Sequence, residues 1–326
     1  MKKVLLPLCV ALLGAGLIGC GATEKDYTLN FGSTVSFTTA DSGVVTQISV
    51  LSFAVVYDAD AKVVSSYADE VQIPLTFADG HVSYDTTKTQ VNKAGSEVVL
   101  SKRELGKAYD SYSPMPTGTW YEQADAYQEA INGKTLTEIK ALTAEELKTA
   151  GCSMSGTVAS FLAALEIGQE ECHSVSFKSA EEPKVGIGMD IAAATDATIT
   201  TEMAAVVFAG DKVVASNFDA YQAPLAEGKV DTSKTQVSTA GAKKLLSKKE
   251  LGEAYGSMPA GTWLPQANAY EGLIAGKTVA EIKALSLEEI AAAGCTMKST
   301  PAVFARNVEE AAAHLDGAGY TGETLA

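Results

Sequence analysis

The side chains that most often do chemistry in enzymes are few and scattered in this sequence. The three histidines show no H-x-x-H or H-E-x-x-H spacing, and no two cysteines form a C-x-x-C pair, whereas zinc sites usually have such spacings. No serine lies in a G-x-S-x-G elbow, and there is no P-loop. The sequence therefore predicts no catalytic residue and no metal ligand, and it favours a protein that is not an enzyme.

One cysteine has a clear chemical setting, at the end of the first apolar segment. Two lysines follow Met1, residues 4–19 carry no charge, and the run ends in L-I-G-C at Cys20. A basic start, a short apolar stretch and a small residue are typical of a secretory signal peptide. The tetrapeptide resembles the lipobox of bacterial lipoproteins, which implies cleavage before Cys20 and a diacylglycerol on its sulfur.

We therefore expect an exported protein that is lipid-anchored to the outer face of the cell membrane. No second apolar stretch long enough to cross a bilayer follows, so the lipid would be its contact with the membrane. The alternative is a soluble secreted protein with a cysteine there by chance. Three later cysteines remain, Cys152, Cys172 and Cys295. Either Cys152 and Cys172 pair as a disulfide, or all three are buried thiols.

Composition excludes several classes of protein. The 326 residues are 46% hydrophobic and 20% charged, which is typical of folded domains and not of disordered tails. With 25 basic and 40 acidic residues the formal net charge is −15, so we expect no nucleic-acid partner.

An internal duplication organises the chain. Residues 98–112 return at 244–257, and residues 118–124 return at 261–267. A unit of roughly 140 residues is far longer than a solenoid repeat, so the pattern predicts two tandem domains. The predicted boundaries are a signal peptide (1–19), a tether (20–30), repeat 1 (31–172), a linker (173–184) and repeat 2 (185–326).

Each repeat begins with alternating β-branched residues and continues with helical patterns. The β-branched runs are split by short polar turns, which indicates hairpins. Later threonines such as Thr135 and Thr143 are followed three residues on by glutamate, the spacing of a capping box. This order predicts the α+β class, with two tandem copies of a small antiparallel sheet that carries helices on one face. We expect Lys102, Arg103 and their counterparts, Lys248 and Lys249, on solvated helix faces.

The strand segment Met203–Val214 and the following Gln222-Ala223-Pro224 are similar to the strand–turn–strand of extracytoplasmic FMN-binding domains. The segments around Glu104-Leu105-Gly106, Trp120 and Gly133-Lys134-Thr135 resemble uncharacterised Gram-positive lipoproteins related to that domain. The resemblance covers both repeats. Its implied cofactor is FMN, held by a late Ser-Gly-Ala-Thr segment.

The resemblance also implies site residues. Where the flavin family has Ser-Gly-Ala-Thr, this chain has A-G-C-S ending at Ser153 and A-G-C-T ending at Thr296. These hydroxyls would carry the flavin phosphate near a helix N-terminus; the alternative is that they simply enter and cap their helices. Trp120 and Trp263 occupy equivalent positions and would either stack on the flavin or anchor the core.

Two main functions follow as hypotheses, and a hydrolytic enzyme of the cell surface is a third. The first is a membrane-anchored lipoprotein with a duplicated FMN-binding-like domain, acting with a redox partner protein in extracellular electron transfer or in flavin handling. The second is a cofactor-free surface lipoprotein that binds a small ligand or a partner protein.

Overall fold

The computed structural model describes residues 23–92, 98–115, 117–192, 194–237, 245–256 and 261–315. Each repeat is an antiparallel sheet with helices against one face, which confirms the predicted α+β class. The strands of repeat 1 are β1 (Lys25–Thr39), β2 (Val45–Asp58), β3 (Val63–Ala78), β4 (His81–Tyr84), β5 (Val91–Asn92) and β6 (Val98–Val99). Its helices are α1 (Lys102–Leu105), α2 (Ala108–Tyr112), α3 (Trp120–Ile131), α4 (Leu136–Lys140), α5 (Ala144–Thr149) and α6 (Ser155–Ile167).

A turn, Glu171–His173, and strand β7 (Ser174–Ser179) connect the repeats. The strands of repeat 2 are β8 (Lys184–Ile191), β9 (Thr198–Ala209), β10 (Lys212–Ala226) and β11 (Lys229–Val230). Its helices are α7 (Lys248–Leu251), α8 (Trp263–Ile274), α9 (Val279–Lys283), α10 (Leu287–Ala292) and α11 (Thr300–Ala313). The main sheets have the orders β4-β3-β2-β1-β7 and β11-β10-β9-β8.

The two sheets pack against each other, and the helices cover their outer faces. Alternate residues of β2 point to opposite sides, so Val50, Ala54 and Val56 join a core shared with repeat 2 while Phe53 and Val55 contact the helices of repeat 1. The shared core lies between a helix layer on each side. Ser52 and Met203, which hold equivalent places in the two repeats, meet at 3.1 Å between Oγ and Sδ. The two sheets thus contact each other at equivalent positions of β2 and β9.

The predicted tether and linker both contain strand structure. Lys25–Asn30, placed in the tether, pair antiparallel with Ser174–Ser179, placed in the linker. Tyr27 and Phe177 stack there with ring centroids 5.5 Å apart. In β7, Val175 and Phe177 alternate with Ser174, Ser176 and Lys178, which gives the strand its polar composition. An edge strand exposed on one side needs only this weak alternation.

Glycines let the last helix of each repeat approach its sheet closely. A Cβ atom on Gly32 of β1 would collide with the carbonyl oxygen of Ala164 in α6. In repeat 2, Gly186 and Gly188 give α11 the same room beside β8. No helix in the described part of the chain is both long and apolar enough to span a membrane.

Candidate functional site

The two loop hydroxyls highlighted by the sequence are bound to glutamines on the preceding long helices. Ser153 donates from its backbone N and from Oγ to Oε1 of Gln123, both at 2.8 Å. Thr296 does the same to Gln266, at 2.8 Å from N and 2.9 Å from Oγ1. Both glutamines are buried, so this arrangement ties the loop to the helix in each repeat. The sequence analysis missed the glutamines, although both repeats carry one three residues after the tryptophan.

The tryptophans are buried in the helix-side cores. Trp120 is 2% exposed and Trp263 is 0% exposed. Each indole meets a phenylalanine edge-on, with centroids 6.2 Å apart, Trp120 on Phe161 and Trp263 on Phe304. Lysine ammonium groups also lie over both rings, at 5.1 and 5.3 Å. Neither ring therefore offers an open face on which a flavin could stack.

Those lysines are buried, so the expectation that they lie on solvated helix faces was wrong. They belong to a buried polar layer made of the cations of α1 and α7 and the carboxylates that pair with them. Four cations of α1 and α7 are each no more than 5% exposed: Lys102, Arg103, Lys248 and Lys249. Lys102 pairs with Glu70 of β3 at 2.7 Å, and Lys249 pairs with Glu271 of α8 at 2.9 Å. Capping boxes between Ser101 and Glu104 and between Ser247 and Glu250 begin these short helices. The cations are buried because each finds a carboxylate there.

An aspartate lies at the centre of each polar layer. Asp69 accepts from the backbone N–H of Arg103 at 3.2 Å, and Asp219 accepts from that of Lys249 at 3.0 Å. Burial raises the pKa of Asp69 to about 6, although nearby Arg103 acts against this. Burial likewise raises the pKa of Glu104 to about 7.

Beside Ser153, a cleft opens between α5 and α6 with a volume of about 260 Å³. It is lined by Leu142, Ala144, Leu147, Lys148, Cys152, Ser153, Ser155 and Val158. The 13-residue helix α6 starts there without a side-chain cap, so its N-terminus is open to a negative group. The apolar side chains that line the cleft would contact the hydrophobic part of a ligand.

Repeat 2 differs at the residues that give this cleft its charge. The segment L-K-T-A-G-C around Lys148 corresponds to I-A-A-A-G-C, which places Ala291 where repeat 1 has the lysine. Val158 corresponds to Pro301 in the first turn of α11. The two repeats share the glutamine–hydroxyl arrangement, but repeat 2 has its lysine at a different place, with Lys298 at the position of Ser155 and no cation at the position of Lys148.

The residues implied for flavin do not form one flavin-binding surface. Ser153 and Thr296 are exposed, whereas the tryptophans are enclosed. The cleft at Ser153 is also smaller than the usual 300–1,000 Å³ of pockets for drug-sized ligands, and FMN is a ligand of that size. Cys20 lies outside the described residues.

The three cysteines in the described part of the chain, Cys152, Cys172 and Cys295, are free thiols. Cys152 and Cys295 are buried in the helix-side cores, where burial raises their thiol pKa. Cys172 lies in the turn between the repeats and is partly buried.

Comparisons with known proteins add little. No family model matches the chain, and no curated protein matches it. Among solved structures, a protein from Bacteroides fragilis with a YmcC-like fold aligns at 6% identity, over 64% of this chain and 84% of its own, with a TM-score of 0.12. A similarity this low carries no argument about fold or function.

Proposed function

We propose that this chain is an exported, lipid-anchored binding protein that holds a small anionic ligand with an apolar part in the α5–α6 cleft of repeat 1. The signal peptide and Cys20 supply its location. The observation that carries the binding role is the cleft itself. There the uncapped N-terminus of α6 and Lys148 stand at the edge of an apolar floor.

The chemistry of the cleft favours a carboxylate or phosphate joined to a compact hydrophobic group. The first backbone N–H groups of a helix and its dipole favour an anion, and Lys148 adds a full positive charge. Leu147 and Val158 would contact the apolar part. The volume of about 260 Å³ limits the enclosed portion to a small group.

Benzoate is a suitable probe, because it joins one ring to one carboxylate, and neutral benzamide is its matched control. In two-dimensional amide NMR spectra of the isotope-labelled soluble chain (residues 21–326), we expect benzoate to shift the signals of residues 147–158 more strongly than benzamide does. Lys148→Ala should remove that preference. Lys140→Ala, which deletes the exposed lysine paired with Glu166, should leave it intact. Equal shifts with both probes, or an unchanged preference in Lys148→Ala, would contradict the proposal.

A covalently bound flavin is the second candidate function, favoured by one observation at Thr296. This threonine is exposed and precedes the 14-residue helix α11, which has Pro301 in its first turn. Mass spectrometry of protein made together with a flavin transferase would test it. An unmodified peptide covering Cys295–Arg306 would reject attachment there, and an unmodified Ser153 would reject it in repeat 1.

A further inference from the structure

The turn that links the two repeats brings three different metal-binding side chains together. The carboxylate of Glu170, the thiol of Cys172 and a ring nitrogen of His173 all lie within 4.8 Å of one another. Two carboxylates of repeat 2 approach the same histidine. Asp219 Oδ2 lies 3.8 Å from its Nδ1, and Glu250 Oε1 lies 4.0 Å from its Nε2.

The imidazole of His173 is buried without a hydrogen bond. It is 1% exposed, and neither ring nitrogen has a hydrogen-bond partner. Oδ2 of Asp219, which faces it, also lacks one. Burying such groups without a partner costs free energy, and native proteins rarely leave them unsatisfied. Both groups lie near Cys172.

Charged groups from both repeats lie around Cys172. The negative groups that act on Cys172 are Asp219, Glu170 and Glu250, and the positive group is Lys249. Lys249 already pairs with Glu271 at 2.9 Å. The thiol of Cys172 thus has three carboxylates and one ammonium group as charged neighbours, and of the three clustered side chains Glu170 is exposed, Cys172 is partly buried and His173 is buried.

We propose that Glu170, Cys172 and His173 bind a divalent transition-metal ion of the zinc type, with Asp219 or Glu250 as a fourth ligand from repeat 2. Sulfur, imidazole nitrogen and carboxylate oxygen are all common zinc ligands. At metal–ligand distances of about 2.0–2.3 Å, the ligand atoms would need to move closer by roughly 1 Å. Binding deprotonates the Cys172 thiol and releases its proton to solvent.

The two carboxylates at His173 would then have different tasks. Zinc occupies one ring nitrogen, and the N–H on the other usually donates to a carboxylate that fixes the orientation of the ring. Asp219 stands on the Nδ1 side and Glu250 on the Nε2 side, so one can be a ligand while the other orients the imidazole. The ion would join the two repeats.

The place where α11 of repeat 2 approaches the buried aspartate of repeat 1 has different residues. There Asp69 and Glu104 lie near Glu310 of α11. Burial raises the pKa of Glu310, and the negative charges of Glu104 and Asp69 raise it further. No local motif in the sequence marks this site, because the E-x-C-H turn matches none of the usual spacings and the remaining ligands come from the other repeat.

Titration of the tag-free, reduced soluble chain with Co²⁺ tests the proposal, because a cobalt–thiolate bond gives a strong near-ultraviolet charge-transfer band. We expect that band to saturate at one equivalent and to disappear when Zn²⁺ displaces the cobalt. Zn²⁺ should also raise the Tm by several degrees, since it binds the folded state.

Variants separate this site from adventitious binding. Cys172→Ser should abolish the band, and both it and His173→Asn should weaken Zn²⁺ binding by at least about tenfold. His81→Ala removes an exposed histidine remote from the turn and should change neither. The proposal is overturned if no band forms, if the band survives in Cys172→Ser, or if Zn²⁺ binds the folded Cys172→Ser variant as tightly as the unaltered chain.

Discussion

The two repeats fill the same cross-strand position in opposite ways. In repeat 1, Phe53 of β2 lies directly opposite Ala68 of β3. In repeat 2, the equivalent pair is Ala204 of β9 opposite Phe218 of β10. Each phenylalanine packs against a phenylalanine in the last helix of its repeat. The ring centroids are 5.2 Å apart for Phe53 and Phe161, and 4.3 Å apart for Phe218 and Phe304. The core thus preserves the volume of the pair rather than the residue at each position.

The glutamate that pairs with the buried lysine also lies on different strands in the two repeats. Repeat 1 places Glu70 opposite Leu51, and repeat 2 places Glu202 opposite Ala220. The Glu70–Lys102 distance is 2.7 Å, whereas the Glu202–Lys248 distance is 3.6 Å.

The closer contact has an electrostatic consequence. Burial lowers the pKa of both lysines, but Glu70 and Tyr109 together more than offset this for Lys102, whose pKa is raised overall. Glu202 offsets it only partly for Lys248, whose pKa is lowered. The same fold can therefore place the glutamate that pairs with the buried lysine on either of two neighbouring strands. The ion pair is closer in repeat 1 than in repeat 2.

The largest expected effect comes from breaking the aromatic pair. Phe53→Ala should lower the free energy of unfolding by about 3–5 kcal/mol, because it leaves a cavity beside Phe161. Adding Ala68→Phe should recover most of that loss, since repeat 2 already has this arrangement. Urea unfolding of the single and double variants measures both values. If the double variant is no more stable than Phe53→Ala, the phenylalanine cannot be moved from β2 to β3 without loss of packing.

Removing the glutamate of the first pair should cost about 3 kcal/mol, because Glu70→Ala leaves Lys102 buried without its carboxylate. Leu51→Glu, added to Glu70→Ala, moves the carboxylate to the strand that carries it in repeat 2 and should restore part of the stability. Thermal and urea unfolding at neutral pH measure the change. If the second substitution destabilises the chain further, the carboxylate cannot be moved between strands.

A pH-dependent effect of about 2–3 kcal/mol should come from Asp69. Its pKa is raised from 3.8 to about 6, so between these values the folded state holds a proton that the unfolded state has released. This contribution to stability is complete below about pH 4 and falls as the pH rises to about 6, by 1.36 kcal/mol per unit of pKa difference.

Asp69→Asn should therefore gain stability relative to the unaltered chain as the pH rises from 4 to 7. Asp60→Asn, which removes an exposed carboxylate in a turn, is the control. Urea unfolding across this pH range gives the curves. A constant difference for Asp69→Asn would mean that Asp69 titrates alike in both states.

The smallest effect concerns the start of the long helices. Thr119 forms a capping box with Glu122, whereas Thr262 caps nothing, because Pro265 stands at the third helical position and has no N–H to donate. Thr119→Ala should cost about 1 kcal/mol and Thr262→Ala clearly less. Thermal unfolding of the two variants compares them. Equal losses would indicate that the hydroxyl of Thr262 has a role that the helix start does not explain.

The sequence predicts the elements of each repeat well, because their signals are local. Alternation marks the long strands, and the threonine–glutamate spacing at Thr135 and Thr143 marks helix starts that the structure contains. The packing of one sheet on the other is not predictable in this way, since both faces of β2 are apolar and either could have met solvent or a partner.

The same limit applies to the sites. Ser153 and Thr296 are visible as hydroxyls in short loops, but their glutamine acceptors lie 30 residues earlier. The approach of His173 to Asp219 joins residues of different repeats, and no local spacing encodes such a contact. Burial of Lys102 and Arg103 depends on carboxylates that only the folded chain brings within reach.

The central claim is that two repeats of one fold carry different sites, through the residues at which they differ. Amide NMR spectra of the isotope-labelled soluble chain, titrated separately with benzoate and with Zn²⁺, test it most directly. We predict benzoate shifts at residues 147–158 and not at 290–301, and Zn²⁺ shifts at residues 170–173 and 247–250 and not at 101–104. Matching shifts in both repeats, for either probe, would contradict the claim.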